Sequence, residues 1–215
     1  MATIVSFARL FVGLIYLGIL VAIGIVCLIP IVFWHTKRIR LTNALGTAIG
    51  KGIMFISGCP MHIKGHDKIH ASKPAIYIGN HTSVFDAFTS IWLSPSGTVG
   101  VAKREIIYYP FYGLAWVLAG HLLLDRKTPE RARASMNKLA NFVRKEKLHV
   151  FMWPEGTRAR DGRLLPFKKG VVHLALQTGL PIVPMVTTGA HKAWEKQTLA
   201  LRKVPIEIEF LDPID

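Results

Sequence analysis

An imidazole and a carboxylate stand five residues apart in Asn80-His81-Thr82-Ser83-Val84-Phe85-Asp86, straight after an apolar run, Ala75 to Gly79, that reads as a buried strand. A second apolar run, Leu148 to Trp153, leads into Pro154-Glu155-Gly156-Thr157-Arg158, which offers a carboxylate, a glycine, a hydroxyl and a guanidinium. A base with an orienting acid, and an anion grip, each at the end of a strand, point to chemistry on a phosphorylated substrate. Residues five apart on an ideal helix project about 140° apart and do not meet. His81 therefore belongs in a strand-to-helix turn, with Thr82 or Ser83 capping the helix and Asp86 reaching back from its first turns. A carboxylate on one ring nitrogen sets the tautomer and leaves the other nitrogen as a base, which an alcohol needs when it attacks an acyl carbon. The spacing alone is equally compatible with a capped helix that carries a chance histidine.

In the second motif the glycine lets backbone N–H groups approach an anion, and Arg158 can hold a phosphate through two parallel bonds. An ordinary Pro-Glu-Gly turn beside a solvated arginine fits the same residues. Lys168-Lys169-Gly170 opens a further helix, where the dipole and free N–H groups favour anions. Lys103-Arg104-Glu105 ends another strand candidate, with Pro110, Phe111 and Gly113 shortly after. It offers a second phosphate contact or a plain surface charge cluster. His62, His66 and His70 recur at helical spacing, but Gly65 interrupts them, and no metal site is expected. Neither Cys27 nor Cys59 sits beside a base and there is no Gly-x-Ser-x-Gly elbow, so direct attack is expected rather than a covalent acyl-enzyme.

The elements that must position these groups follow from the alternation of short apolar runs with longer helical patterns, which predicts an α/β domain. Strands are expected at Met61 to Lys64, Ala75 to Gly79, Thr98 to Ala102, Leu148 to Trp153, Ile182 to Val186 and Ile206 to Phe210. Thr128 as N-cap and Pro129 at the first position predict a helix to Lys145, burying Met136, Leu139, Ala140 and Val143. Another runs from Gly170 to Thr178 and stops at Gly179.

The front of the chain is different. Leu10 to Trp34 is 25 residues without a charge, about 37 Å as a helix, against a hydrocarbon core of about 30 Å. Trp34, His35, Lys37, Arg38 and Arg40 follow, the flank expected of a membrane segment whose C-terminal side is cytoplasmic. No small-residue cleavage site follows the run, which argues against a signal peptide. Leu41 to Cys59 reads as an interfacial or docked helix. Residues 1–60 are thus expected to form an anchor and 61–215 the catalytic domain.

Lys and Arg outnumber Asp and Glu 27 to 13, a formal charge of +14, while mean hydropathy is +0.35. Such a balance suits anionic lipid or acidic substrates. No stacking motif or recognition helix supports nucleic acid, and the apolar anchor opposes it. Two cysteines make no disulfide framework, which is compatible with a reducing compartment.

Asn80-His81-x4-Asp86, Lys103-Arg104-Glu105, Leu124-Asp125-Arg126, Pro154 to Arg158, Phe167-Lys168-Lys169-Gly170 and Val183-Pro184-Met185 occur in the order seen in glycerolipid acyltransferases. Over about residues 60 to 215 the chain resembles that family, in particular the 1-acyl-glycerol-3-phosphate acyltransferases that make phosphatidic acid. The resemblance implies a mixed sheet flanked by helices, an N-terminal membrane-embedded helical anchor and a channel for the acyl chain. It implies that His81 is the base, Asp86 its orienting partner, and that Glu155, Gly156, Thr157 and Arg158 form the acceptor site with help from Lys103 or Arg104 and Lys168. The acyl donor would be acyl-CoA or acyl carrier protein, with no other cofactor, at the cytoplasmic face of a bacterial inner membrane. Other lysolipid acceptors, such as a lyso-ornithine lipid, or a silent lipid-binding role, stay open at this point. Met152 and Trp153 depart from the phenylalanine usual before Pro-Glu-Gly, and the chain ends at Asp215, where relatives usually run on.

Overall fold

A computed structural model describes residues 2–69, 73–108, 112–159, 161–195 and 198–215. His70, Pro110 and Phe111 lie outside the described residues. In chain order the elements are α1 (Ala2–Leu28), α2 (His35–Ser57), β1 (Met61–Lys64), β2 (Ile76–Gly79), α3 (Phe85–Leu93), β3 (Thr98–Lys103), α4 (Tyr112–Leu118), β4 (Leu122–Leu124), α5 (Pro129–Glu146), β5 (His149–Met152), α6 (Gly170–Thr178), β6 (Ile182–Thr188), α7 (Ala190–Ala193) and β7 (Ile206–Phe210). Short 3-10 segments occupy Ile29–Ile31, His66–Lys68 and Arg104–Tyr108.

The seven strands form one sheet in the order β1-β7-β6-β2-β5-β3-β4, parallel throughout except for the antiparallel β6–β7 pair. The mixed α/β sheet expected from the sequence is present. Its central strands β2 and β5 are covered on both faces, as in parallel sheets, whereas β1 and β7 alternate inward and exposed positions. Tyr77, Phe151, Val183 and Met185 point to one side and pack with Ile53 and Met54 of α2 and Phe85 of α3. Ile76, Val150 and Met152 point to the other and pack on Met136, Leu139, Ala140 and Val143 of α5 and on Val171 and Leu174 of α6. The buried stripe of α5 is the one its sequence predicts, and each large side chain on it contributes about 1.5–3 kcal/mol by leaving water. Thr128 Oγ1 accepts from the Arg131 N–H at 3.3 Å, closing the expected N-cap.

The front half of the chain departs from the expected bounds. The first helix runs from Ala2 to Leu28 and breaks at Pro30, whose missing N–H cannot continue it. Lys37, Arg38 and Arg40 lie inside α2, which starts at His35 and ends at Gly58 in the left-handed conformation (φ 69°). The two helices form a hairpin: Arg9 Nη1 donates to the Ser57 carbonyl at 2.9 Å, and the Tyr16 hydroxyl to the Ala48 carbonyl at 2.8 Å. Of the two, α1 keeps most of its apolar side chains in the open, with Phe11 at 65% and Leu14 at 67% exposure. Ile4 to Ile31 is long and apolar enough to cross a membrane. By contrast α2 is a layer of the α/β unit. Gly50 faces α3 so closely that a Cβ there would lie 2.2 Å from the Phe88 carbonyl oxygen.

Candidate active site

The candidate side chains gather at the carboxyl ends of the parallel strands, where open α/β sheets bind their ligands. Strands β2 and β5 are neighbours in register, Ile76 with Val150 and Ile78 with Met152. The two motifs, 74 residues apart in sequence, therefore leave the sheet side by side. Next to β5 lies β3, which ends at Lys103, and beyond it β4, which leads into Asp125-Arg126.

His81 is held through its backbone before its ring is considered. Its N–H donates to Glu155 Oε1 at 2.7 Å, and its carbonyl accepts from the Ala159 N–H at 2.9 Å. Just before it, the Asn80 carboxamide clasps Thr187 of β6, accepting from its N–H at 2.7 Å and donating to its carbonyl at 2.8 Å. The ring stacks on Trp153 with centroids 4.3 Å apart and planes 14° from parallel. His81 Nδ1–H donates to Asp86 Oδ2 at 3.3 Å. Nε2 has no hydrogen-bond partner among the described residues and carries the lone pair in that tautomer.

Of the two expected caps, Ser83 Oγ accepts the Phe85 N–H at 3.3 Å, and Asp86 binds the turn in the other direction. Helix α3 begins at Phe85 behind Val84, which makes no side-chain cap. The Asp86 carboxylate itself, fully buried, accepts from the Thr82 and Ser83 N–H groups through the same Oδ2 that holds His81. Two backbone amides and an imidazole thus converge on one oxygen, so the orienting acid is itself rigidly oriented.

Glu155 is buried at 1% exposure. Its Oε1 is taken by His81 and its Oε2 accepts the Leu165 N–H at 2.9 Å. The family resemblance places it in the acceptor site; the geometry makes it the strut between the His81 turn and the loop that follows Arg158. Gly156 adopts φ 71°, and a Cβ there would stand 2.9 Å from Arg126 Nη1. The positive φ favours glycine there, and a side chain would make the guanidinium shift. Thr157 is exposed and Arg158 half-buried; the guanidiniums of Arg126 and Arg158 make no hydrogen bond or ion pair with other described residues. Lys168 joins the same loop through its N–H, which donates to the Pro154 carbonyl at 2.8 Å, while its side chain is exposed.

Lys103 is exposed at the end of β3. Arg104 pairs with Asp125 at 3.2 Å, with Arg131 at 3.7 Å from the same oxygen. The Lys127 amide, with both arginines beside it, holds the Asp125 carboxyl below the usual carboxylate range. This pairing ties the β3 end to the loop that carries Arg126. Arg126 is the residue that local sequence reasoning leaves unassigned: its only signal is its place in Leu124-Asp125-Arg126. The arrangement sets a partly exposed imidazole and several cations on loops at one end of the sheet, a combination suited to activating a hydroxyl on a molecule that carries phosphate.

Comparison with known proteins agrees with this chemistry. The Acyltransferase family model matches residues 60–188, more than half of the chain. The chain is 52% identical to a 1-acyl-sn-glycerol-3-phosphate acyltransferase of Limnanthes douglasii over 85% of its own length and 64% of the relative's. It is 37% identical to the Escherichia coli protein of the same name, over 69% and 63%. The chain thus spans less than two thirds of these curated relatives. The fold matches the crystal structure of the 1-acyl-sn-glycerophosphate (LPA) acyltransferase of Thermotoga maritima with a TM-score of 0.78 and 21% identity, covering all of this chain and 87% of the other. Motifs, topology and family match together make this chain a member of the acyltransferase family.

Proposed function

We propose that the chain transfers a fatty acyl group from a thioester to the free hydroxyl of 1-acyl-glycerol-3-phosphate, giving phosphatidic acid. The observation that carries the reading is the His81–Asp86 pair set beside the Pro154–Arg158 loop. His81 Nε2 takes the proton of the acceptor hydroxyl as its oxygen attacks the thioester carbonyl. The tetrahedral intermediate collapses, the C–S bond breaks, and the thiolate leaves with the proton that His81 returns. Asp86 holds Nδ1 and stabilises the imidazolium formed in between, a contribution of about 10²- to 10⁴-fold for the acid–base step. Arg158 and Arg126 grip the acceptor phosphate, with Lys103, Arg104 and Lys168 adding positive potential. Thr157 borders the same loop. Names of the relatives support this acceptor.

The reaction takes place at a membrane. The exposed apolar surface of α1 and the charge of +14 suit an anionic bilayer, which attracts each nearby Lys or Arg by about 1 kcal/mol. The catalytic domain faces the cytoplasm at a bacterial inner membrane, where acyl-CoA and acyl carrier protein are the available donors. The test is acyl transfer by purified protein from labelled palmitoyl-CoA or palmitoyl carrier protein to lysophosphatidic acid, lyso-ornithine lipid and glycerol-3-phosphate. Phosphatidic acid is the expected product. Product from another lysolipid alone would keep the mechanism and change the acceptor, and no thiol release with any pair would overturn the reading.

A further inference from the structure

Between Glu105 and His121 the chain runs fifteen residues, Ile106 to Gly120, without a charge. In a water-facing connection such a run would turn its large apolar side chains inward. Here several do the opposite. Tyr108 is 79% exposed and Leu114 60%, with Val117 and Ile107 also open. Trp116 accounts for the inward side: its indole donates to the Leu122 carbonyl and lies where a Gly100 side chain would be. The exposed residues therefore form an outer face with no covering element among the described residues.

Two observations say what covers it. First, α4 is locked to the helical hairpin rather than to the sheet alone. Carbonyls at the end of α4 and just beyond it accept from side chains of α2. Arg38 donates to Leu118 at 3.2 Å and His35 Nε2 to Gly120 at 2.7 Å. Helix α1 packs directly beside α4. Helix α4 thus exposes its apolar residues beside a helix that exposes its own. Second, the rim is cationic. Arg38 of α2 reaches the Val117 and Leu118 carbonyls, and Lys103 and Arg104 lead into the exposed run, as suits an apolar patch that enters a bilayer under anionic headgroups.

We infer that the Arg104–Tyr108 segment and α4 form a second lipid-inserted surface, carried by Ile107, Tyr108, Leu114 and Val117, that seats the mouth of the site at the headgroup boundary. It is too short to span and enters one leaflet beside α1. The inference rests on the membrane reading of α1 proposed above. It gives Lys103, at the start of the same segment, a position level with lipid phosphates.

The test uses the full chain with Cys27→Ser and Cys59→Ala, and single cysteines at Leu14, Tyr108, Leu114 or Asn141 bearing an environment-sensitive NBD label. Proteins are reconstituted in phosphatidylcholine–phosphatidylglycerol vesicles with or without nitroxide-labelled lipid. Labels at Tyr108 and Leu114 should shift to the blue and lose most of their emission to the nitroxide, like the label at Leu14 and unlike that at Asn141 on α5. Quenching at Leu14 with aqueous, unquenched labels at Tyr108 and Leu114 would overturn this inference and leave the membrane reading standing. An unquenched label at Leu14 would remove both. A blue shift at Leu114 without lipid quenching would assign the face to protein contact, a second copy included, and overturn the inference.

Discussion

Replacing Glu155 by Gln keeps the shape of the side chain and changes only what its two outer atoms can do. In the native protein both oxygens accept backbone N–H groups, from His81 at 2.7 Å and Leu165 at 2.9 Å, at a site 1% exposed. Glutamine keeps one acceptor and turns an NH2 toward the other N–H, so one charge-assisted bond of about 1.5–3 kcal/mol is lost. A buried donor is left facing a donor, at about 1–3 kcal/mol. Relief from burying a carboxylate offsets part of this. We expect a net loss of about 2–4 kcal/mol, or about 5–15 °C in melting temperature for a chain of this size. The His81 turn loses one of its tethers, and a displacement of about 1 Å at the base lowers turnover by about 10²-fold. The assay pairs thermal unfolding in detergent with steady-state acyl transfer at varied acceptor. A strut lowers melting temperature and kcat together. Wild-type melting with a raised KM for the acceptor would refute this reasoning and return Glu155 to direct substrate contact.

Two further predictions concern charged and titratable groups, the first at the site and the second at the far end of β4. Arg158→Ala and Arg126→Ala each remove a guanidinium that no described residue engages, and should lower kcat/KM for a phosphate-bearing acceptor by about 10- to 100-fold. Arg158→Lys should recover only part of this, since a point charge does not reproduce the planar fork; unchanged acceptor saturation in the alanine variants would remove them from the phosphate site. Burial, with His35 nearby, pushes the His121 imidazole down to about 4, and its Nδ1 accepts the Gly100 N–H at 3.2 Å. The unfolded chain takes up that proton near pH 6.5, so this stability is complete above about 6.5 and falls by about 1.4 kcal/mol per unit as pH drops toward 4. Denaturation at about pH 7.5 and 5 should differ by about 2 kcal/mol from this group, and His121→Gln should flatten the difference; an unaltered acid slope would contradict the assignment.

How far the sequence carries depends on whether a signal is local. Strands β1 and β7 are legible to the residue because Met-His-Ile-Lys and Ile-Glu-Ile-Glu-Phe alternate apolar and polar side chains, the period of a strand with one covered face. Helix α5 is legible because Thr128, Pro129 and a four-residue stripe agree. Strand β4 is missed: three leucines between a glycine-ended helix and a charged loop have no period to read. The start of α2 is missed because Lys37, Arg38 and Arg40 look like a membrane flank, whereas Arg38 in fact turns back to cap α4. The site divides the same way. That His81 and Asp86 meet across a strand-to-helix turn is legible from their spacing and the preceding strand; the roles assigned to them come from the ordered motifs of the family. The approach of Arg126 to Gly156 depends on strand order, which no local pattern encodes, and the role of Glu155 depends on backbone partners 74 and 10 residues away.

The central claim is that His81 is the base. The direct measurement is transfer of a labelled palmitoyl group from a thioester to lysophosphatidic acid by wild type and by His81→Ala, each shown to be folded by circular dichroism and unaltered melting. The account predicts phosphatidic acid from wild type and a loss of at least about 10²-fold in the variant. Turnover by a folded His81→Ala protein near the wild-type rate would contradict it.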